Sequence, residues 1–289
     1  AEIYLYGGLL NRYEIRRPDG TWFNIVKAYD TPQHARESLT EWFRSGKLSP
    51  YACRLRHGKY SFDGKAYQCG KFKLAEHAAH GLMYDREFSL VNSHADSQSA
   101  EVEIRADYAQ DDSGYPFPFS LTVRYRLSAD GLSIRSTVRN QGTTAMPLAD
   151  GWHPYFTLGG KTDDWSLEID SSKRLGFDAD LVPDGSIIDD TRFQTTSNLA
   201  GIELDNSFVL ARSKPAACTL SGNGLTLSIY PDASYPYLQI FTPSTRDTIA
   251  IENLSGTPDC FNNGLGLIKL DAGEEAAFET RYHIAANRP

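Results

Sequence analysis

Four cysteines in 289 residues (Cys53, Cys69, Cys218 and Cys260) are too scattered to staple a fold. With no CxxC pair they suit neither a disulfide framework nor a zinc site, and they read as ordinary buried thiols. No apolar run approaches the ~18 residues that cross a bilayer, so no membrane segment is expected. Lys and Arg number 29 against 37 Asp and Glu, and no basic block occurs. The electrostatic footprint of a nucleic-acid binder is therefore missing. HExxH, the P-loop and a GxGxxG following a strand are absent too. His77 and His80 lie close together, but no third ligand follows at a suitable spacing, so no metal centre is expected. The opening residues, Ala1 to Leu10, are short, apolar and without a basic n-region. They read as a strand rather than a signal peptide, and cytoplasm is the expected compartment.

What is present is period-2 alternation punctuated by turns. Phe119 to Leu127 alternates apolar and polar, Asp130-Gly131 follows, and Leu132 to Arg139 repeats the rhythm. Asp-Gly between two alternating runs predicts a hairpin, because Gly tolerates positive φ. The same grammar recurs at Asp19-Gly20, Asp63-Gly64 and Asn223-Gly224. Alternation of this kind predicts antiparallel sheets with one wet face, and so many strands predict an all-β, antiparallel two-sheet sandwich. One helix is predicted near residues 32–45. Thr31 caps it, Pro32 opens it, Leu39, Trp42 and Phe43 form its apolar stripe, and Gly46 and Pro50 end it. Its simplest role is to plug one end of the sandwich. No linker or repeat divides the chain, so residues 1–289 read as one domain.

Two segments stand out chemically. Gly151-Trp152-His153-Pro154-Tyr155-Phe156 sets a histidine among aromatic rings. Rings beside a polar group suit a sugar, whose C–H face packs on them while its hydroxyls need donors and acceptors. In Ile249-Ala250-Ile251-Glu252-Asn253 a carboxylate interrupts an apolar strand. Such a group is paired, hydrogen-bonded or functional, and burial raises its pKa toward that of a general base. Taken singly, His153 equally fits a core histidine and Glu252 a structural carboxylate. Asp205 and Arg54, in polar surroundings, decide nothing alone.

Order and surroundings together say more. Arg54-Leu55-Arg56-His57-Gly58-Lys59, His80-Gly81, Gly114-Tyr115-Pro116 and His153-Pro154-Tyr155-Phe156-Thr157-Leu158 resemble successive motifs of the aldose 1-epimerase (galactose mutarotase) family. So do Leu181-Val182-Pro183-Asp184-Gly185, Asp205 ahead of Phe208, and Gln239 in Leu238-Gln239-Ile240-Phe241. Glu252-Asn253 with Pro258-Asp259, and Ala272-Gly273-Glu274, complete the series. The resemblance runs from about residue 50 to the C-terminus. The chain departs from it at Cys53, where the family usually has Asn, and at Leu82-Met83-Tyr84-Asp85, which replaces a Gly-rich stretch.

The resemblance implies the family's large two-sheet supersandwich, with a cleft on one concave sheet. It also implies interconversion of the α and β anomers of a free aldohexose such as galactose or glucose. Glu252 would be the general base at the C1 hydroxyl and His153, as imidazolium, the general acid at the ring oxygen. Arg54, His80, Asp205 and Gln239 would bind the monosaccharide, with no cofactor or metal. Three alternatives stay open. A 6-phosphosugar epimerase would need a basic pocket, for which Lys71, Lys73 and Arg86 are candidates. A silent carbohydrate-binding protein would use the same site without chemistry. A glycosidase would need a second catalytic carboxylate.

Overall fold

The structure, a computed structural model, describes residues 1–286; the last three residues of the expected domain lie outside the described residues. Two large antiparallel sheets dominate it. The first has nine strands in the order Ser89–Ala95, Ser99–Tyr108, Phe119–Ser128, Gly131–Asn140, Glu275–Ala286, Leu225–Pro231, Cys218–Gly222, Ser166–Ile169 and Ser197–Asn198. The second runs Pro183–Asp189, Lys173–Phe177, Asp205–Val209, Tyr237–Phe241, Ile249–Leu254, Gly151–His153 and Gly46–Leu48, and Tyr155–Phe156 also pairs with Ile249–Leu254. All four turn dipeptides connect paired antiparallel strands, as their residue types predict. The opening segment is likewise a short strand, Glu2–Tyr4, paired with Leu9–Arg12.

The two sheets differ in what they cover. On the nine-stranded sheet Leu121, Val123 and Tyr125 are buried while Arg124 and Arg126 face water, so the alternation in sequence is the alternation of faces. Ile249–Leu254 of the second sheet is buried at every position. One of its faces packs on the first sheet, where the Asn253 amide meets the Tyr282 hydroxyl at 3.3 Å and the Trp152 ring lies 6.1 Å from that of Tyr125. The other face carries Glu252 and His153.

Lys47, in a strand beside His153, is fully buried with Asp150. Its ammonium lies 2.5 Å from the Asp150 carboxylate, donates to the Ser136 hydroxyl of the opposite sheet at 2.9 Å, and sits over the Trp152 ring. The Tyr235 hydroxyl donates to the same carboxylate oxygen at 2.7 Å. Burial lowers the Lys47 pKa to about 8 although Asp150 opposes the shift.

The helix spans Pro32–Trp42, with the Thr31 hydroxyl accepting from the His34 amide. It stops short of residue 45 because Phe43 turns into the left-handed region and its N–H closes on the Leu39 carbonyl at 2.7 Å. That turn buries the Phe43 ring against Phe72, Tyr84 and His80. Trp42, expected on the buried stripe, is 38% exposed, and Ala35 with Leu39 does the packing. No described helix is long and apolar enough to cross a membrane.

Removing one partner of a buried ion pair strands the other charge, at a cost of about 3–5 kcal/mol. Asp150→Asn should therefore lower the urea unfolding free energy by about that amount. Adding Lys47→Met should recover most of it. A single-mutant loss below about 1 kcal/mol, the worth of an exposed pair, would contradict this.

Candidate functional site

Strand register sets the centre of the site. Gly151 is opposite Leu254 and Tyr155 opposite Ala250, so His153 falls opposite Glu252. Nε2 of His153 lies 3.3 Å from Oε1 of Glu252, and both side chains are almost fully buried. On the other flank Glu252 is the register partner of Gln239, and Gln239 that of Ser207. The Gln239 amide is held at both ends: its oxygen accepts from the Ser207 hydroxyl at 2.7 Å, and its nitrogen donates to the Asp205 carboxylate at 2.6 Å.

A small strand pair and the turn after it deliver the remaining polar groups: Arg54 lies in the short strand Arg54–Leu55, which pairs with His77–Ala79, and His80 follows that partner. His80 and Gly81 both take positive φ. A side chain at Gly81 would put its Cβ 2.3 Å from the Ser49 carbonyl, so only glycine fits there. This tight approach, with the His80 amide donating to the Cys53 carbonyl at 2.8 Å, turns the His80 ring into the cavity. Arg54 is fixed by the Pro258-Asp259 segment. The Asp259 amide donates to the Arg54 carbonyl at 2.7 Å, and the Asp259 carboxylate accepts from the Arg56 amide at 2.8 Å. Among the described residues the Arg54 guanidinium has no hydrogen-bond or ion-pair partner.

All six residues singled out in the sequence, Arg54, His80, His153, Asp205, Gln239 and Glu252, line one cavity of about 210 Å³. Water takes about 30 Å³ per molecule in the liquid, so this space is on the scale of one small polyol. Residues given no role of their own in the sequence complete the wall, some of them (Tyr155, Leu181 and Phe241) from within the quoted motifs. Tyr155 stacks on His153 at 5.1 Å, and Phe72, Leu74, Phe177, Leu181 and Phe241 add apolar surface. Thr40 to Phe43, at the end of the helix, close one side, so the helix end is a wall of the cavity. Lys71, Lys73 and Arg86 do not line it. Lys71 is paired with Asp85 and Arg86 with Asp111.

Electrostatics follow from burial. Desolvation, with the Asp205 charge second, pushes Glu252 well above the ordinary carboxylate range, and Arg54 opposes this. Desolvation also lowers His153 to about 4 and takes His80 well below its usual value. Burial thus disfavours the charged form of each group. Among the described residues the buried Nδ1 atoms of His80 and His153 have no hydrogen-bond partner. Unsatisfied buried nitrogens beside a free guanidinium offer hydrogen-bonding capacity that the protein itself does not use.

Comparison with known proteins bears on the fold and the family. The family model for aldose 1-epimerase matches residues 1–283, which extends the likeness through the first fifty residues as well. The uncharacterized protein YihR of Escherichia coli (strain K12) is 27% identical over 237 residues, covering 78% of this chain and 74% of that protein. Among solved structures, a GalM/aldose epimerase homologue from C. elegans superposes with a TM-score of 0.85 at 20% identity, over 99% of this chain and 95% of that one. Galactose 1-epimerase from Lactobacillus acidophilus gives a TM-score of 0.82 at 20% identity, over 99% and 91%. With the family model spanning nearly the whole chain and the fold shared throughout, this protein belongs to the aldose 1-epimerase family.

Proposed function

We propose that this protein interconverts the α and β anomers of a free aldohexose such as galactose or glucose, with Glu252 as general base and His153 as general acid. The observation that carries the reading is the 3.3 Å contact between Glu252 and His153 inside a sugar-sized cavity. The C1 hydroxyl oxygen and the ring oxygen are bonded to the same carbon. Two proton-exchanging groups this close can therefore serve both at once.

On this reading the resting pair is neutral and shares one proton, and the reaction needs that proton on His153 with Glu252 ionised. Moving it across the contact changes no net charge, and the Arg54 guanidinium favours the carboxylate form. Glu252 then takes the proton of the C1 hydroxyl while Nε2 of His153 protonates the ring oxygen. The C1–ring oxygen bond breaks and C1 becomes the open-chain aldehyde. Rotation about C1–C2 presents the other carbonyl face, and the reverse transfers close the other anomer. The unpaired Arg54, His80 and the Asp205–Gln239 pair supply donors and acceptors for the hydroxyls. Tyr155 offers an aromatic face.

A free sugar is favoured over a 6-phosphosugar because Lys71 and Arg86 are already neutralised away from the cavity. Retention of both a base and an acid argues against a silent binder, which needs neither. A polarimetric time course with fresh α-D-glucose, α-D-galactose and glucose 6-phosphate tests the reading. The two free sugars should equilibrate faster with protein than without; acceleration of the phosphosugar alone would overturn it.

Glu252→Gln keeps shape but removes the base, and His153→Asn removes the acid. Each should lower kcat by ~10²–10⁴-fold with sugar binding retained. The double variant should be far less impaired than the product of the single losses, since the two act as one unit. Near-native turnover by Glu252→Gln would show that another carboxylate is the base.

The pH dependence of kcat/KM should be a bell. With the pair active when it holds one proton, the acid limb marks a second proton reaching His153, whose pKa burial lowers to about 4. The alkaline limb marks loss of the last proton, from Glu252, and lies above the ordinary carboxylate range. Both limbs belong to the pair rather than to either residue. An acid limb at the usual histidine value of 6.5 would contradict the one-proton pair.

A further inference from the structure

Cys53 stands immediately before Arg54 with φ of 51°, in the left-handed region that residues other than Gly, Asn and Asp rarely occupy. Such an outlier persists only where its surroundings hold it, and these do. Its carbonyl accepts from the His80 amide at 2.8 Å, and the next carbonyl, of Arg54, accepts from the Asp259 amide at 2.7 Å. The pinned turn aims the side chain into the cavity, where Sγ lies 3.8 Å from Oε2 of Glu252. His153 lies against the other oxygen, Oε1. Among the described residues no further hydrogen bond or ion pair reaches this buried carboxyl group.

We propose that Cys53 is a positioning residue whose thiol donates to Oε2 of Glu252 and so turns Oε1, with the proton it carries, toward Nε2 of His153. The inference rests on the reading of Glu252 as the base. Burial, followed by the Glu252 charge, raises the thiol's pKa well above its usual value. The sulfur therefore stays protonated, a donor rather than a nucleophile. A thiol is a weak donor. It orients the carboxyl group while leaving it a stronger base than an amide or hydroxyl donor would. The other groups acting on Glu252 or facing it are Asp205, which raises its pKa, Arg54, which lowers it, and His153 and Tyr155 beside it. All of them stay in place when only Cys53 is changed.

Cys53→Ala removes the donor, and Cys53→Asn supplies a stronger one in a residue type suited to positive φ. A donor to the charged form favours that form, so its loss raises the Glu252 pKa and its strengthening lowers it. The alkaline limb of kcat/KM should move up in Cys53→Ala and down in Cys53→Asn, each by roughly half a pH unit or more. The carboxyl carbon of Glu252, followed by ¹³C NMR without sugar and assigned with Glu252→Gln, should titrate with the same two displacements. Unchanged titration in both variants would overturn the proposal and leave Cys53 as packing only. Displaced titration in a protein that accelerates no aldose would uphold the Cys53–Glu252 coupling and refute the proposed function instead.

Discussion

A carboxylate and an imidazole pressed together and buried in a cleft constrain everything around them. Neither Glu252 nor His153 can carry its charge cheaply at that depth, so burial drives both toward neutrality. On the proposed reading they keep one proton between them, and 3.3 Å separates the two atoms that exchange it. Acid–base chemistry near neutral pH requires groups poised in this way, with environments that push their pKa values apart from the usual ones. The ionised form is then within reach when Arg54, otherwise unpartnered, supports the carboxylate.

Much of the rest of the structure serves that contact. The register of three neighbouring strands lines up His153, Glu252 and Gln239. Gly81 lets the His80 turn approach Ser49, and Asp259 fastens the Arg54 strand. On the reverse face of the same sheet, Lys47 and Asp150 tie the strand of His153 to the opposite sheet. A buried pair is a poor source of net stability, but breaking it is costly, which suits a role in holding one strand arrangement.

The hairpins were legible because each lies where one sheet face meets water, so the burial pattern is written directly as alternation. The strand Ile249–Leu254 shows no such alternation, being covered on both sides, and only the misplaced carboxylate gave it away. The six polar site residues could be chosen because their motifs are local, and the fold gathers them although Arg54 and Glu252 lie far apart in sequence. Pro258-Asp259 was visible as a motif, yet its work of fastening Arg54 is a long-range backbone contact that no local pattern encodes. The same holds for the end of the helix. Trp42 and Phe43 satisfied the helical stripe, but tertiary packing of Phe43 on His80 ended the helix early and turned the segment into a cavity wall. Cys53 was noticed only as a departure from the family's usual Asn; its approach to Glu252 depends on a backbone turn that sequence did not reveal.

The central claim is that the resting pair holds a single proton with His153 neutral, and ¹⁵N NMR of labelled histidines tests it most directly. The His153 resonances, assigned by their loss in His153→Asn, should show a neutral imidazole between about pH 5 and 8 and become those of an imidazolium only toward about 4. A His153 that titrates at the ordinary value of 6.5, independently of Glu252, would contradict the account.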